Sequence, residues 1–212
     1  MVLHAARITR LDTVPIPVRE VVRRAGCPSG RIEDMPPGIR ILLEGEMKRA
    51  QTLLEPKGIV RFLRVASRSE GEIAFHDTDI RIRSRQVAAL FRRADPVVAF
   101  LATIGPALER EVDALSSAGE TTCAFLLDAI GSETADAAAD ALHRDVLSKE
   151  AGGAGCRVTP RFSPGYGDWP LTSQRELVPL CEGQRIGISL TPSCLMVPRK
   201  SVSAVLGWIP KE

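Results

Sequence analysis

The spacing of apolar positions changes along this chain, and each change marks a predicted element. Residues 18–25 carry valines at helical spacing and stop at Gly26, which predicts a short amphipathic helix. Residues 36–54 predict a second helix, with Pro36 and Pro37 in its first turn, where a missing N–H costs little. Residues 58–66 and 72–75 predict strands joined by a Ser-Gly hairpin. Residues 84–94 predict a helix. Residues 95–103 then form an almost unbroken apolar run, the pattern of a strand buried on both faces.

Gly105 and Pro106 open a further helix over 107–117, closed by Gly119. A long helix is predicted from Thr121 to about Lys149, ended by Gly152, Gly153 and Gly155. Beyond it the pattern becomes strand-like at 157–162, a Pro/Gly loop at 163–169 and a short helix at 172–180. Ile186, Ile188 and Leu190 alternate with polar or small residues, as do Val202, Ala204 and Leu206, so two half-buried strands are expected. Runs of helices and strands in this order predict a mixed α+β fold and not a βαβ series.

Composition narrows the function without naming it. The 212 residues are 44% hydrophobic and 25% charged, enough for a sizeable core and incompatible with global disorder. The net charge is only +2, which argues against nucleic acid as partner. The longest apolar run, 96–105, is half of what a bilayer span needs, and residues 1–10 have no signal-peptide stretch, so a cytoplasmic protein without membrane association is expected. The five cysteines, Cys27, Cys123, Cys156, Cys181 and Cys194, are odd in number and lack CxxC spacing, so reduced thiols are expected and neither disulfides nor a zinc ribbon. Phosphate-binding glycine loops, a GxSxG elbow and an HExxH pattern are absent, and His4, His76 and His143 stand apart.

Two features carry candidate chemistry. On the long helix, Leu127, Ile130, Thr134, Ala138 and Leu142 share one arc, and Glu133, Asp136, Asp140 and His143 share the opposite one. That acidic stripe could be a solvated face, half of a carboxylate metal site, or a contact for a cationic ligand. The second feature is the stretch from Arg161 to Pro170. It gathers an arginine, the only tyrosine (Tyr166), Asp168 and Trp169 between two prolines and two glycines. An arginine can fork onto a carboxylate, and a tyrosine can lay its ring on a cation. The same loop could equally serve to bury Trp169. Cys194, between two predicted strands, reads as a buried small hydrophobe or as a reactive thiol; no histidine is near it in sequence.

These residues resemble the activation, or reactivation, domain of cobalamin-dependent methionine synthase. That family's loop reads Arg-x-x-Pro-Gly-Tyr, matched by Arg161, Pro164, Gly165 and Tyr166. Its later Leu-Thr-x-Ser, Met-x-Pro and Ser-Val-Ser segments are matched by Leu190, Thr191, Ser193, Met196, Pro198, Ser201, Val202 and Ser203. The resemblance runs over roughly residues 95–207. It implies a mixed or antiparallel twisted sheet flanked by helices, one of them long, with residues 95–212 as the activation-domain core and 1–94 as a further part of that domain or a small lobe.

The resemblance also implies a ligand, S-adenosylmethionine. Arg161 would pair with its carboxylate, Phe162, Ser163, Pro164 and Gly165 would hold it by backbone, and Asp136 would take its ammonium group. Tyr166 would sit by the methyl donor and act in catalysis. Asp136 is an aspartate where the family pattern has a glutamate, and Pro192 stands where the family often has an acid. No metal ligand is implied within the chain. The corrinoid-ligating Asp-x-His-x-x-Gly pattern is absent, so cobalamin would be supplied by a separate methyltransferase partner, with electrons from a donor such as flavodoxin or ferredoxin. The expected role is an accessory subunit, standing alone, that supports reductive remethylation of a corrinoid methyltransferase. The alternative is a docking or corrinoid-chaperone subunit that no longer uses S-adenosylmethionine.

Overall fold

The computed structural model describes residues 5–11, 14–76 and 78–211; His4 lies outside them. Five antiparallel strands form the main sheet, in the order β1, β2, β6, β10, β7. They are β1 (Arg7–Arg10), β2 (Lys57–Leu63), β6 (Val97–Thr103), β10 (Ser201–Pro210) and β7 (Cys156–Val158). The central strand β6 is buried at all seven positions, as its unbroken apolar run predicts. Its side chains alternate between two cores. Val98, Phe100 and Ala102 join the helices on one face; Val97, Ala99 and Leu101 join the layer on the other.

The helical face carries α1 (Val18–Arg24), α2 (Pro37–Leu53), α4 (Ala107–Ser117) and the long α5 (Thr121–Ala141). α5 holds no proline and is rich in alanine, which favours helix and lets α2, α4 and the sheet approach closely. Leu127, Ile130, Thr134, Ala138 and Leu142 are all buried, the arc expected from the wheel. Thr134 donates its hydroxyl to the Ile130 carbonyl at 2.7 Å, so its burial leaves no unmet group. The helix continues through a π-helical stretch, Leu142–Leu147, into α6 (Ser148–Gly153).

The opposite face is covered by a three-stranded sheet, β3 (Val65–Arg68), β4 (Glu72–Phe75) and β5 (Thr78–Arg83), with α3 (Arg85–Leu90) and α7 (Gln174–Leu180). Ile73, Phe75, Ile82, Phe91, Trp169 and Leu177 meet there beneath the main sheet.

The structure corrects three expectations. The strand expected over 58–66 is two strands in different sheets: β2 pairs with β6, and β3 pairs with β4. The expected strand over 157–162 pairs only through Val158. Pro160 has no N–H to offer, and pairing resumes at a lone bridge between Phe162 and Val205. The alternation at Ile186, Ile188 and Leu190 is not a continuous strand. A 3-10 turn, Gly183–Ile186, ends at Gly187 with φ +81°, and only β8 (Ser189–Leu190) pairs, with β9 (Met196–Val197).

Candidate functional site

A cavity of about 650 Å³ opens where α5, the 161–166 loop, β9 and the start of β10 converge. Its wall includes Asp136 from α5 and Arg161, Phe162, Ser163, Pro164 and Tyr166 from the loop. Six of the seven residues expected in the site therefore meet on one surface; the seventh, Gly165, lies within the same loop and is absent from the wall. The size falls within the ordinary range for small-ligand sites.

Two supports hold the loop open. Phe162 is tied to β10 by mutual backbone hydrogen bonds with Val205, each 2.8 Å. Trp169 is buried against the second core, its ring tilted on that of Phe162 with centroids 6.4 Å apart. Trp169 is thus buried, as one reading of this stretch expects, and residues ahead of it line a cavity. Tyr166 stands 70% exposed at the rim.

Asp168 pins the far end of the loop. It accepts hydrogen bonds from the Ser84 hydroxyl and from the backbone N–H groups of Arg85 (2.7 Å) and Gln86 (3.4 Å). The loop comes so close to α3 here that a Cβ on Gly167 would lie 2.0 Å from Gln86 Oε1, and Gly167 has φ +54°. The bond from Ser84, then those from Arg85 and Gln86, hold the Asp168 carboxyl below the ordinary aspartate range. A depressed folded-state pKa contributes stability above the unfolded value, and that contribution disappears as pH falls through the lowered one. Asp168→Asn should accordingly melt at a lower temperature at neutral pH, and the gap from the parent should close below about pH 4. A gap constant from pH 7 to pH 3 would contradict this account.

Charge is concentrated on one side of the cavity. Arg161, 24% exposed, lies between two carboxylates one helical turn apart on α5: it pairs with Asp140, and its Nη2 is 3.5 Å from Asp136 Oδ1. Loss of solvation against the wall pushes the Asp136 carboxyl up; Arg161 opposes the shift, and Glu133 and Asp140 add to it. His143, one turn on, is pushed down, first by desolvation and then by Arg161, with Asp140 opposing. Its Nε2 is buried without a hydrogen-bond partner. The acidic stripe is therefore not a bare solvated face, since Arg161 lies against two of its carboxylates; among the described residues no group of three His, Cys, Asp or Glu side chains could hold a metal ion.

Sequence reasoning did not single out Gln174, Arg199 or Lys200, which also line the cavity. Lys200 is buried. Its Nζ reaches Asp128 (2.6 Å) and Ser132 (2.7 Å), and its stem passes Gly131, where a Cβ would come within 3.3 Å of Lys200 Cε. Arg199 pairs with Glu109 and with Asp113 at 3.3 Å. Gln174 is 5% exposed, and its Oε1 is buried without a partner, an acceptor that a ligand donor in the cavity would satisfy. Ser201, Val202, Ser203 and Met196, quoted above only for their sequence pattern, stand on the wall as well. Cys194 is buried, with Arg175 Nε donating to its Sγ at 3.0 Å.

Residues 86–211, more than half of the chain, match the family model described as vitamin B12 dependent methionine synthase, activation domain. Among solved structures, the chain resembles the MetH reactivation domain bound to AdoHcy, with a TM-score of 0.73 and 17% identity. The alignment covers 99% of this chain and 80% of that one, and the likeness is one of fold. No curated protein matches the chain.

Proposed function

Because the chain belongs to the vitamin B12 dependent methionine synthase activation domain family, we propose that it binds S-adenosylmethionine in the α5–β10 cavity and supports remethylation of a cobalamin-bearing methyltransferase. The observation that carries this reading is the position of Arg161 between the α5 carboxylates on the cavity wall. An amino-acid end carries a carboxylate and an ammonium side by side. Such a ligand needs a guanidinium fork and an acid within a few ångströms of each other, which is what Arg161 and Asp136 supply. The shorter aspartate still reaches the arginine.

In this reading the loop backbone at Ser163 and Pro164 holds the nucleoside end, with Phe162 fixed to β10 behind it, and the buried, unpartnered Gln174 oxygen accepts one of its N–H or O–H donors. Tyr166 stands at the cavity mouth and faces the incoming partner. The partner's corrinoid supplies the metal that accepts the methyl group. This chain binds the donor, aims it and excludes water, so positioning is its main contribution. No helix among the described residues is long and apolar enough to cross a membrane.

S-adenosylmethionine at a hundredfold excess over its dissociation constant should raise the melting temperature by about 5 °C or more. Tyr166→Phe should leave that rise little changed while slowing methyl transfer to a reduced corrinoid protein. No rise with the unaltered protein would remove the reading. A rise produced only by the corrinoid protein would favour a docking or chaperone subunit.

A further inference from the structure

Around the cavity, carboxylates outnumber the cations they face. Arg161 stands between Asp136 and Asp140, Arg199 faces Glu109 and Asp113, and Lys200 is matched by Asp128. His143 adds no compensating charge at neutral pH, since burial and Arg161 both disfavour its protonated form. The clasp of one guanidinium and two carboxylates thus carries carboxylate charge in excess.

Only Asp136 of the pair is on the cavity wall; Asp140 lies outside it and touches Arg161. A ligand ammonium is met by Asp136, and a ligand carboxylate by Arg161. Asp140 then has no atom of the amino-acid end to balance, yet its charge persists. S-adenosylmethionine carries a further positive charge on sulfur. When the methyl group leaves as a cation equivalent, its bonding pair stays on sulfur and the product is a neutral thioether.

We infer that Asp140 is a specificity-determining residue that makes the site prefer the sulfonium donor over its demethylated product. This rests on the binding reading above and adds a role for a residue outside the cavity wall. The physical basis is long-range Coulomb attraction. A cavity of about 650 Å³ holds a bound charge at a distance from the clasp comparable with one Debye length, about 8 Å at physiological ionic strength, and charges partly withdrawn from solvent are screened less than that. The consequence is useful turnover behaviour: the donor is held, and the spent product is released.

The test is the ratio of two dissociation constants, S-adenosylhomocysteine over S-adenosylmethionine, measured by calorimetry. The unaltered protein should favour S-adenosylmethionine, and Asp140→Asn should reduce the ratio about threefold. Freeing Arg161 from Asp140 affects the carboxylates of both ligands alike and cancels in the ratio, as does any general loosening of the site. Asp140→Glu should restore the preference. In the unaltered protein, raising the salt concentration should shrink the ratio without any substitution. An Asp140→Asn ratio equal to or above the parent's would overturn the inference while leaving the binding reading intact. Absence of binding by both ligands would remove the binding reading, and this inference with it.

Discussion

Replacing Arg161 with alanine should weaken S-adenosylmethionine binding roughly ten- to a hundredfold, the usual consequence of losing a hydrogen bond to a charged group. Three effects set the size. The ligand carboxylate loses a partly buried fork; Arg161 is only 24% exposed, so water cannot fully replace it. Asp136 and Asp140, one turn apart on α5, lose the cation that separates them, so the Asp140 charge acts on Asp136 with less opposition. Asp136 is already pushed up by desolvation, and loss of Arg161 removes the larger of the two cations, Arg161 and Arg24, that oppose that shift. It then becomes a poorer partner for an ammonium group.

Arg161→Lys should recover only part of the affinity, since an ammonium is a point charge and cannot fork. The fold should survive both changes, because both carboxylates are 56% exposed and such pairs contribute about 0–1 kcal/mol to stability. Calorimetry beside a melting curve separates the two effects. Unchanged affinity in Arg161→Ala, with normal melting, would dissociate this arginine from the ligand.

Where a signal was local, the sequence could be read closely. The boundaries of α4 and the two-faced burial of β6 follow from helix-end residues and an unbroken apolar run. β1 had no such signal: its residues are mostly exposed, and it exists because its backbone pairs with β2. β5 did offer one, since Ile80 and Ile82 alternate with Arg81 and Arg83, and the two arginines pair across the strands with Glu72. In the site, Arg161, Tyr166 and the α5 acids could be located because a motif and a helical stripe carry them. Gln174 and Lys200 could not. Nothing in a lone polar residue says that tertiary packing will bury it; the Lys200 stem passes Gly131 closely and its ammonium is met by Asp128 and Ser132, three residues far from it in the sequence.

The cavity depends on β10 both for part of its wall and for the anchoring of its loop. That strand supplies Ser201, Val202 and Ser203 to its wall, anchors Phe162 through Val205, and pairs with β6 and β7 along its length. Its dependence on one small residue can be tested. At Gly207 a Cβ would lie 2.4 Å from Ala94 Cβ and 3.3 Å from Phe91 Cδ1. Ala94 and Phe91 are fully buried, and an alanine methyl has no rotamer with which to move aside. The strand cannot slide away either. Gly207 N donates to Thr159 Oγ1 and its carbonyl accepts from Thr159 N, each at 2.9 Å. The next residue is fixed as well: Trp208 exchanges backbone bonds with Pro96 and Asp95.

Substituting valine at Gly207 should therefore destabilise the protein by about 3 kcal/mol, near the upper end of overpacking costs. For a chain of this length that is a fall in melting temperature of about 6–12 °C. The opposite sign would be expected from residue preference alone, since valine favours strands and glycine weakens them. Alanine at the same position should lower the melting temperature less, as its one methyl meets the same wall with less bulk. A rise in melting temperature for either variant would show that β10 and the Ala94 turn can separate, and that the cavity wall is held by something other than this contact.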